Sequence, residues 1–165
     1  MAIASMHTAY AQKNSIGTTW SLSGIGISYE RLISEDTFTH VAIKAEMEEM
    51  FIGKTLFSGL SAAFTWNYVF AQIESSYGTP VKFFAGPGIA AGVCNDLYGT
   101  NGLFLGLNGR VGMQCIFQRN VDITIALAPV LGLHVSQKGE NLNTRTYWNG
   151  LLQGIMPEIG ISYRF

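Results

Sequence analysis

The stretch Val121–Ser136, VDITIALAPVLGLHVS, decides the reading. Its odd positions are Val121, Ile123, Ile125, Leu127, Pro129, Leu131, Leu133 and Val135. Its even positions are Asp122, Thr124, Ala126, Ala128, Val130, Gly132, His134 and Ser136. One set is apolar throughout; the other is mostly small or polar. Side chains that alternate with period two point to opposite faces of a sheet, so this is a strand with two unlike faces.

The same rhythm extends in both directions. Across 102–117, Leu103, Leu105, Leu107, Val111, Met113, Cys115 and Phe117 oppose Gly106, Asn108, Arg110, Gly112 and Gln114. Across 80–94, Val81, Phe83, Ala85, Pro87, Ile89 and Val93 oppose Lys82, Gly86, Gly88 and Gly92. Segments 58–73 and 37–47 repeat it, with Phe64, Trp66 and Tyr68 against Thr65 and Asn67, then Val41 and Ile43 against His40, Lys44 and Glu46. Toward the C-terminus, 150–165 alternates with one fault, Gln153. The N-terminal portion, 14–31, is ambiguous. It reads as two short strands, NSIGTTW and GIGISYER, because the split gives eight strands and single-chain barrels favour even counts.

Composition agrees with an all-β chain in a membrane or around a ligand. Charged residues are 13% of 165, about half the usual share for a soluble domain. Glycine is frequent at 19, and mean hydropathy is +0.23. No run of about 18 apolar residues exists, so no helical span is expected. That leaves a soluble β domain, or a membrane barrel whose apolar signal is spread over short alternating segments. The net charge of −1, with no basic block, gives no sign of nucleic-acid binding. The cysteines, Cys94 and Cys115, have no partner spacing for a metal and fall near opposite rims, so free thiols are expected and neither a metal nor another cofactor is implied. Ala9-Tyr10-Ala11 ahead of Gln12 has the small-x-small form of a secretory cleavage site. Residues 1–11 are read as a signal-peptide remnant and 12–165 as one barrel domain.

Short connections at Leu32–Asp36, Ser75–Thr79 and Gln118–Asn120 alternate with longer ones at Met50–Thr55, Asn95–Asn101 and Gln137–Thr146. That suits an up-and-down barrel. A soluble lipocalin-like barrel and a membrane barrel then differ only in which face is inside. The polar face is crowded with glycine, which a narrow eight-stranded interior needs and a wet surface does not. Its charges balance: Lys44, Lys82, Arg110 and Arg164 against Glu30, Glu46, Asp122 and Glu158. Confined charges must pair, since an isolated buried ion costs several kcal/mol. Aromatics mark both ends of the apolar face: Tyr29, Phe70, Phe83, Phe117, Tyr163 and Phe165 at one, and Trp20, Phe57, Tyr147 and Trp148 at the other, as interface girdles require. Pro87, Pro129 and Pro157 should mark bulges or near-rim positions, because proline removes a ladder hydrogen bond.

The last eight residues, EIGISYRF, resemble the C-terminal β-signal of bacterial outer-membrane barrels: Glu158 at the polar position, Gly160 at the glycine, Tyr163 and Phe165 at the aromatics. The alternating chain as a whole is similar to small eight-stranded barrels of the OmpA/OmpX type. The resemblance implies a location in the bacterial outer membrane, contact with its lipid, recognition of the last strand by the barrel-assembly machinery, and closure by pairing of last strand with first. Eight strands leave an interior that side chains fill. The eight luminal charges are therefore expected to form an ion-paired core that passes no solute. Loops carry function on rigid scaffolds, and the Gln137–Thr146 loop is the best candidate to contact an extracellular partner that the sequence does not identify.

Two other readings stay open. One is a small pore. The other is a lipid-modifying enzyme: His134 and Ser136 share a face, Glu140 follows, and the spacing resembles that of the outer-membrane lipid A deacylases, with His as base, Ser as nucleophile and an acid as orienter. In that family an Asn follows the Ser; here it is Gln137. Both side chains also face the lumen, away from a lipid substrate.

Overall fold

A computed structural model describes residues 13–21, 24–47, 59–75, 78–95, 100–117, 120–138, 141–155 and 157–165. The signal-peptide reading of 1–11, Phe57 and Glu140 lie outside them. Ten strand segments and one helix follow in order: β1 Asn14–Ser21, β2 Gly24–Ser34, β3 Thr37–Glu46, β4 Gly59–Glu74, β5 Pro80–Asn95, β6 Asn101–Phe117, β7 Val121–Leu127, β8 Val130–Lys138, β9 Asn141–Thr146, α1 Trp148–Gly154 and β10 Glu158–Arg164. Each strand pairs antiparallel with the next as far as β7, β7 pairs with β10, and β10 returns to β1, closing a ring of eight. The N-terminal portion is indeed two strands, joined from Ser21↔Gly24 to Asn14↔Arg31.

The ring is staggered. From Thr19 one path of paired residues runs through Gly26, Lys44, Ser61 and Gly92 to Phe104. The other runs through Gly160 and Thr124 to Gln114. Both end on β6, ten residues apart. A closed sheet with that stagger must tilt its strands, by about 35–45° for this size. The start of β1 and the end of β10 meet on one rim, the terminal end, where the Phe165 amide donates to the Asn14 carbonyl at 2.9 Å. At the same end the Gly78 amide donates to the Ser75 carbonyl, and Gly78 has φ +72°, the left-handed region glycine enters at little cost.

Two expectations are corrected on the last two strands. Residues 137–146 are not a loop. β8 continues to Lys138 and β9 returns beside it, with Ser136↔Asn143 and Leu133↔Thr146 in register. Nor is 150–165 one strand. Between its pairings at Thr146↔Leu133 and Glu158↔Ala126, strand eight uses twelve residue steps where its partner uses seven. The five surplus residues are wound into α1. The sequence permits this because spacings of three and four fit a helix as well as apolar alternation does: Trp148, Leu152 and Ile155 all point outward, at 57, 55 and 60% exposure. Gly150 and Gly154 form the buried opposite face. A Cβ on Gly154 would stand 2.5 Å from the Pro129 nitrogen, so only glycine lets α1 approach β8 this closely. The Tyr147 amide donates to the Gly132 carbonyl at 2.8 Å, and the Ala128 amide to the Gly154 carbonyl at 3.0 Å, tying both ends of the helix to the wall.

The prolines interrupt the wall itself rather than its rims. Pro129 separates β7 from β8, Pro157 separates α1 from β10, and Pro87 falls where the β4–β5 pairing skips from Thr65↔Gly88 to Tyr68↔Ala85. The bulges are elsewhere, at Leu32/Ser34 and Val69/Ala71.

The apolar face is outside. Ile27, Leu60, Leu105, Leu107, Leu133 and Ile161 are each more than half exposed, while Glu30, His40, Arg110, Asp122 and His134 are buried within the ring. Among the outward aromatics, the Tyr29 hydroxyl donates to Asn14 Oδ1 at 2.7 Å and the Tyr163 hydroxyl accepts from Asn120 Nδ2 at 3.2 Å, which fixes both at the terminal end. Tyr147 departs from the expected girdle: it is 3% exposed and turns inward.

Candidate functional site

The lumen is organised as a central polar layer with an apolar cluster on either side. The layer begins on β6, where residues two and four apart share the inner face. Arg110 Nε donates to Glu158 Oε1 at 3.2 Å, and its Nη1 to Glu30 Oε1 at 3.3 Å. Gln114 Nε2 donates to the other Glu30 oxygen at 3.0 Å. The Gln114 carbonyl oxygen accepts from Arg164 at 3.4 Å, and Arg164 Nε reaches Asp122 at 2.5 Å. One chain of contacts thus runs Glu158–Arg110–Glu30–Gln114–Arg164–Asp122, drawing on β10, β6, β2 and β7. Each charge that is taken from water meets a partner, the condition under which burial of ions is tolerable.

Of the eight charges read from the sequence, five belong to this chain. Lys44 and Glu46 form a separate pair at 3.8 Å nearer the other end, and Glu46 also accepts from the Ser61 hydroxyl at 2.5 Å. Lys82 is half-buried and lines a small cavity at the terminal end with Glu30, Gln114 and Arg164. Gln114, which alternation places on the polar face of β6 four residues from Arg110, was not among the charges read from the sequence because it is neutral.

The interior is also less polar than alternation suggested. Phe84 is fully buried, meets Phe38 edge-on at 5.2 Å between centroids, and lies under the Arg110 guanidinium at 5.1 Å. Val69 and Ala126 complete that cluster. Such a cation–aromatic contact contributes about 0.5–2 kcal/mol. Toward the other end Phe104 stacks on Tyr147 at 4.4 Å, with Ala90 and Cys94 beside them. Cys94 Sγ donates to the Tyr147 hydroxyl at 3.2 Å; neither Cys94 nor the half-buried Cys115 forms a disulfide.

Two cavities flank the polar layer and share no lining residue. The larger, upper one has a volume of ≈80 Å³ and is lined by His40, Glu46, Asn108, Arg110, Tyr147 and Glu158 among others. The terminal-end cavity has ≈30 Å³. At roughly 10–15 Å³ each, these volumes accommodate about five to eight and about two to three water molecules.

His134 is 1% exposed, and its Nε2 lies 3.0 Å from the Cys94 carbonyl oxygen. Its ring is therefore engaged by backbone rather than by Ser136, which is buried opposite Asn143. No group of three or more His, Cys, Asp or Glu side chains suited to a metal occurs among the described residues. At the last strand, Gly160, Tyr163 and neighbouring residues pair with β1 on one side and β7 on the other.

No protein-family model matches the sequence, and no curated protein matches it. A likeness appears in three dimensions. The crystal structure of the N-terminal β-barrel domain of Pseudomonas aeruginosa OprF aligns with a TM-score of 0.56, over 93% of this chain and 98% of that one, at 12% identity. The likeness is one of fold: a closed, eight-stranded antiparallel barrel of outer-membrane type.

Proposed function

We propose that the chain is an integral outer-membrane protein, a barrel with a closed lumen that serves as a rigid structural and surface-interaction scaffold. The observation that carries this is the sense of its two faces. Leu107 is 68% exposed and Leu105 62%, whereas Asp122 is fully buried and Arg110 3% exposed. In water that arrangement would hydrate the wrong face; in hydrocarbon it is the favourable one, with every strand paired around a ring that has no edge. The OprF likeness supports the same setting.

A scaffold role follows from the interior. Arg110, Glu30 and Phe84 occupy the lumen between the two cavities, so the reading is of a plug rather than a conduit. The working surface is then at the loop end, where the β8–β9 hairpin raises Asn141–Thr146, five of whose six residues are exposed. An extracellular partner docking there, lipid around the wall and the barrel-assembly machinery at Glu158, Gly160, Tyr163 and Phe165 are the proposed contacts. The β-signal reading is supported by the way β10 closes the ring.

The test is fractionation of cells expressing the chain behind a functional signal peptide. Recovery in the outer membrane, released only by detergent and reduced when Phe165 is deleted, is expected. A soluble periplasmic monomer would overturn the reading.

A further inference from the structure

We propose that the open edge of β9 pairs with the same edge of a second copy held in a facing membrane, joining two barrels through one continuous sheet. The inference deepens the surface-interaction role proposed above and rests on that membrane reading.

Two backbone hydrogen bonds fix which groups the edge presents. The Gly109 amide donates to the Pro129 carbonyl at 3.0 Å, and the Tyr147 amide to the Gly132 carbonyl at 2.8 Å. Each of these pairs is directly opposed in its register. Along an antiparallel ladder, opposed residues alternately exchange hydrogen bonds and turn away from each other. The odd residues of β8 therefore bond to β6, and its even residues bond to Asn141, Asn143 and Arg145. Leu142, Thr144 and Thr146 turn their amides and carbonyls to the other side. No described strand lies there: β9 is the one strand with a single neighbour among the described residues.

The gap comes from the lengths of the strands. β1 pairs with β10 as far as Trp20↔Ile159 and then turns into β2 at Ser21↔Gly24. Ile159 stands opposite Ile125, and Thr146 stands opposite Leu133, eight residues further along that side of the wall. β9 thus rises roughly 26 Å along the strand direction beyond the end of β1, at about 3.3 Å per residue. The edge also lacks the usual guards. Strands meant to stay single are blunted by proline, lysine or a bulge. NLNTRT has neither proline nor lysine, and its register with β8 runs without a shift.

Register favours a second copy over a foreign strand. With Thr144 opposite Thr144, each Leu142 meets a Thr146, and the three opposed pairs exchange two bonds each, six in all, which uses every outward amide and carbonyl of both edges. A slide of two residues leaves one residue of each edge unmatched within β9. The full register sets Arg145 against Asn143, whereas a slide in one direction opposes the two Arg145 side chains, which like charges disfavour.

Orientation selects the facing membrane. Antiparallel strands that extend one sheet are related by a two-fold axis normal to it, and that rotation reverses the barrel axis. Copies in one bilayer share an orientation and cannot meet this way. Copies in apposed bilayers, loop ends toward each other, can, and each hairpin then enters the notch above the other's β1–β2 turn. Backbone bonds made at the expense of bonds to water leave a single pair weak, and many pairs between two membranes add.

The experiment uses the whole chain refolded into phosphatidylcholine–phosphatidylglycerol vesicles, with turbidity followed after mixing. Parent vesicles should aggregate. Thr144→Pro removes an outward amide without touching the β8 ladder, so it should keep the heat-dependent gel shift and slow aggregation about tenfold or more. Thr144→Cys, in two vesicle populations carrying different tags, should form disulfides between populations, because residues that exchange hydrogen bonds have Cα atoms about 5.5 Å apart. Leu142→Cys should not, since its counterpart lies about 13 Å or more away in that register. The parent, with Cys94 and Cys115, sets the background. Equal aggregation by a folded Thr144→Pro, or dispersed parent vesicles, would overturn the pairing. Disulfides only within one population would overturn the facing geometry, and equal cross-linking of Leu142→Cys the register. Binding of an extended threonine–valine hexapeptide by parent vesicles that stay dispersed would assign the edge to a foreign strand instead. Each of these outcomes leaves outer-membrane fractionation intact; failure of fractionation would defeat the membrane reading beneath.

Discussion

Replacing Arg110 with methionine should be among the most damaging single changes in the lumen. The Arg110 side chain is 2% exposed and serves two carboxylates, Glu30 and Glu158, which are themselves only 11 and 13% exposed. Methionine fills much of the volume and keeps contact with Phe84, but it leaves both carboxylates without their cation. Gln114 still donates to Glu30; Glu158 retains no other ion-pair partner among the described residues. Removing one partner of a buried pair costs about 3–5 kcal/mol, against a total stability of only about 5–15 kcal/mol for an ordinary domain. The expected loss for Arg110→Met is therefore about 3–5 kcal/mol. The triple variant Glu30→Gln/Arg110→Met/Glu158→Gln removes the charges together and should return to within about 1–2 kcal/mol of the parent. Urea unfolding in lipid vesicles, followed by tryptophan fluorescence and by the heat-dependent shift in gel mobility, measures both. A single variant within 1 kcal/mol of the parent, or a triple variant no more stable than the single one, would refute the claim that this layer is held by charge pairing.

Other outcomes follow from the walls. Gly88→Val places a Cβ 2.6 Å from Thr65 Cγ2 and should cost about 1–3 kcal/mol or abolish refolding, whereas Gly109→Val, with nothing within 4 Å, should stay within about 0.5 kcal/mol in the same unfolding assay. Leu107→Arg, on the outward face, should destabilise the barrel in vesicles by about 2–4 kcal/mol; Leu142→Arg, on the raised hairpin at 76% exposure, should be near neutral. Deleting residues 149–153 removes the five surplus residues and restores the inward–outward parity between Thr146 and Glu158. That variant should still refold, with heat-dependent mobility retained and the small helical signal in circular dichroism lost. Failure to fold would contradict the residue accounting along strand eight.

Much of this was legible in residue order. Alternation placed eight strands, and the balance of charge on the glycine-rich face gave the sense of the barrel. What alternation could not show was register. Residues 150–165 satisfied period two well enough to pass for a strand, and the mismatch with β7 and β8 becomes visible only when pairs are counted at Leu133 and Ala126. Spacings such as Trp148 to Leu152 suit a helix and a strand alike, so periodicity alone could not separate them. The inward aromatics were hidden for a related reason. Phe84 sits between apolar Phe83 and Ala85, Phe38 between Thr37 and Thr39, and a phenylalanine on the polar face reads as a fault in the pattern until the lumen it fills is seen. Tyr147 was misplaced because its inward turn depends on the helix that follows. The charges of the glycine-rich face share one parity in the sequence, but which would meet depended on the tilt, and Gln114 carries no charge to betray its place among them.

The contact between Arg110 and Glu30 has a mechanical meaning. β2 and β6 stand four places apart in a ring of eight, so they are diametrically opposed. The pair, reinforced by Gln114 to Glu30, spans the cross-section like a spoke, while Glu158 anchors the same hub to a third point on the rim. A thin cylinder squeezed from the side yields first by becoming oval. Here that deformation would have to stretch charged contacts along one diameter while crushing Phe84 and Phe38 beneath them. The section should stay round under uneven lateral pressure applied across that diameter.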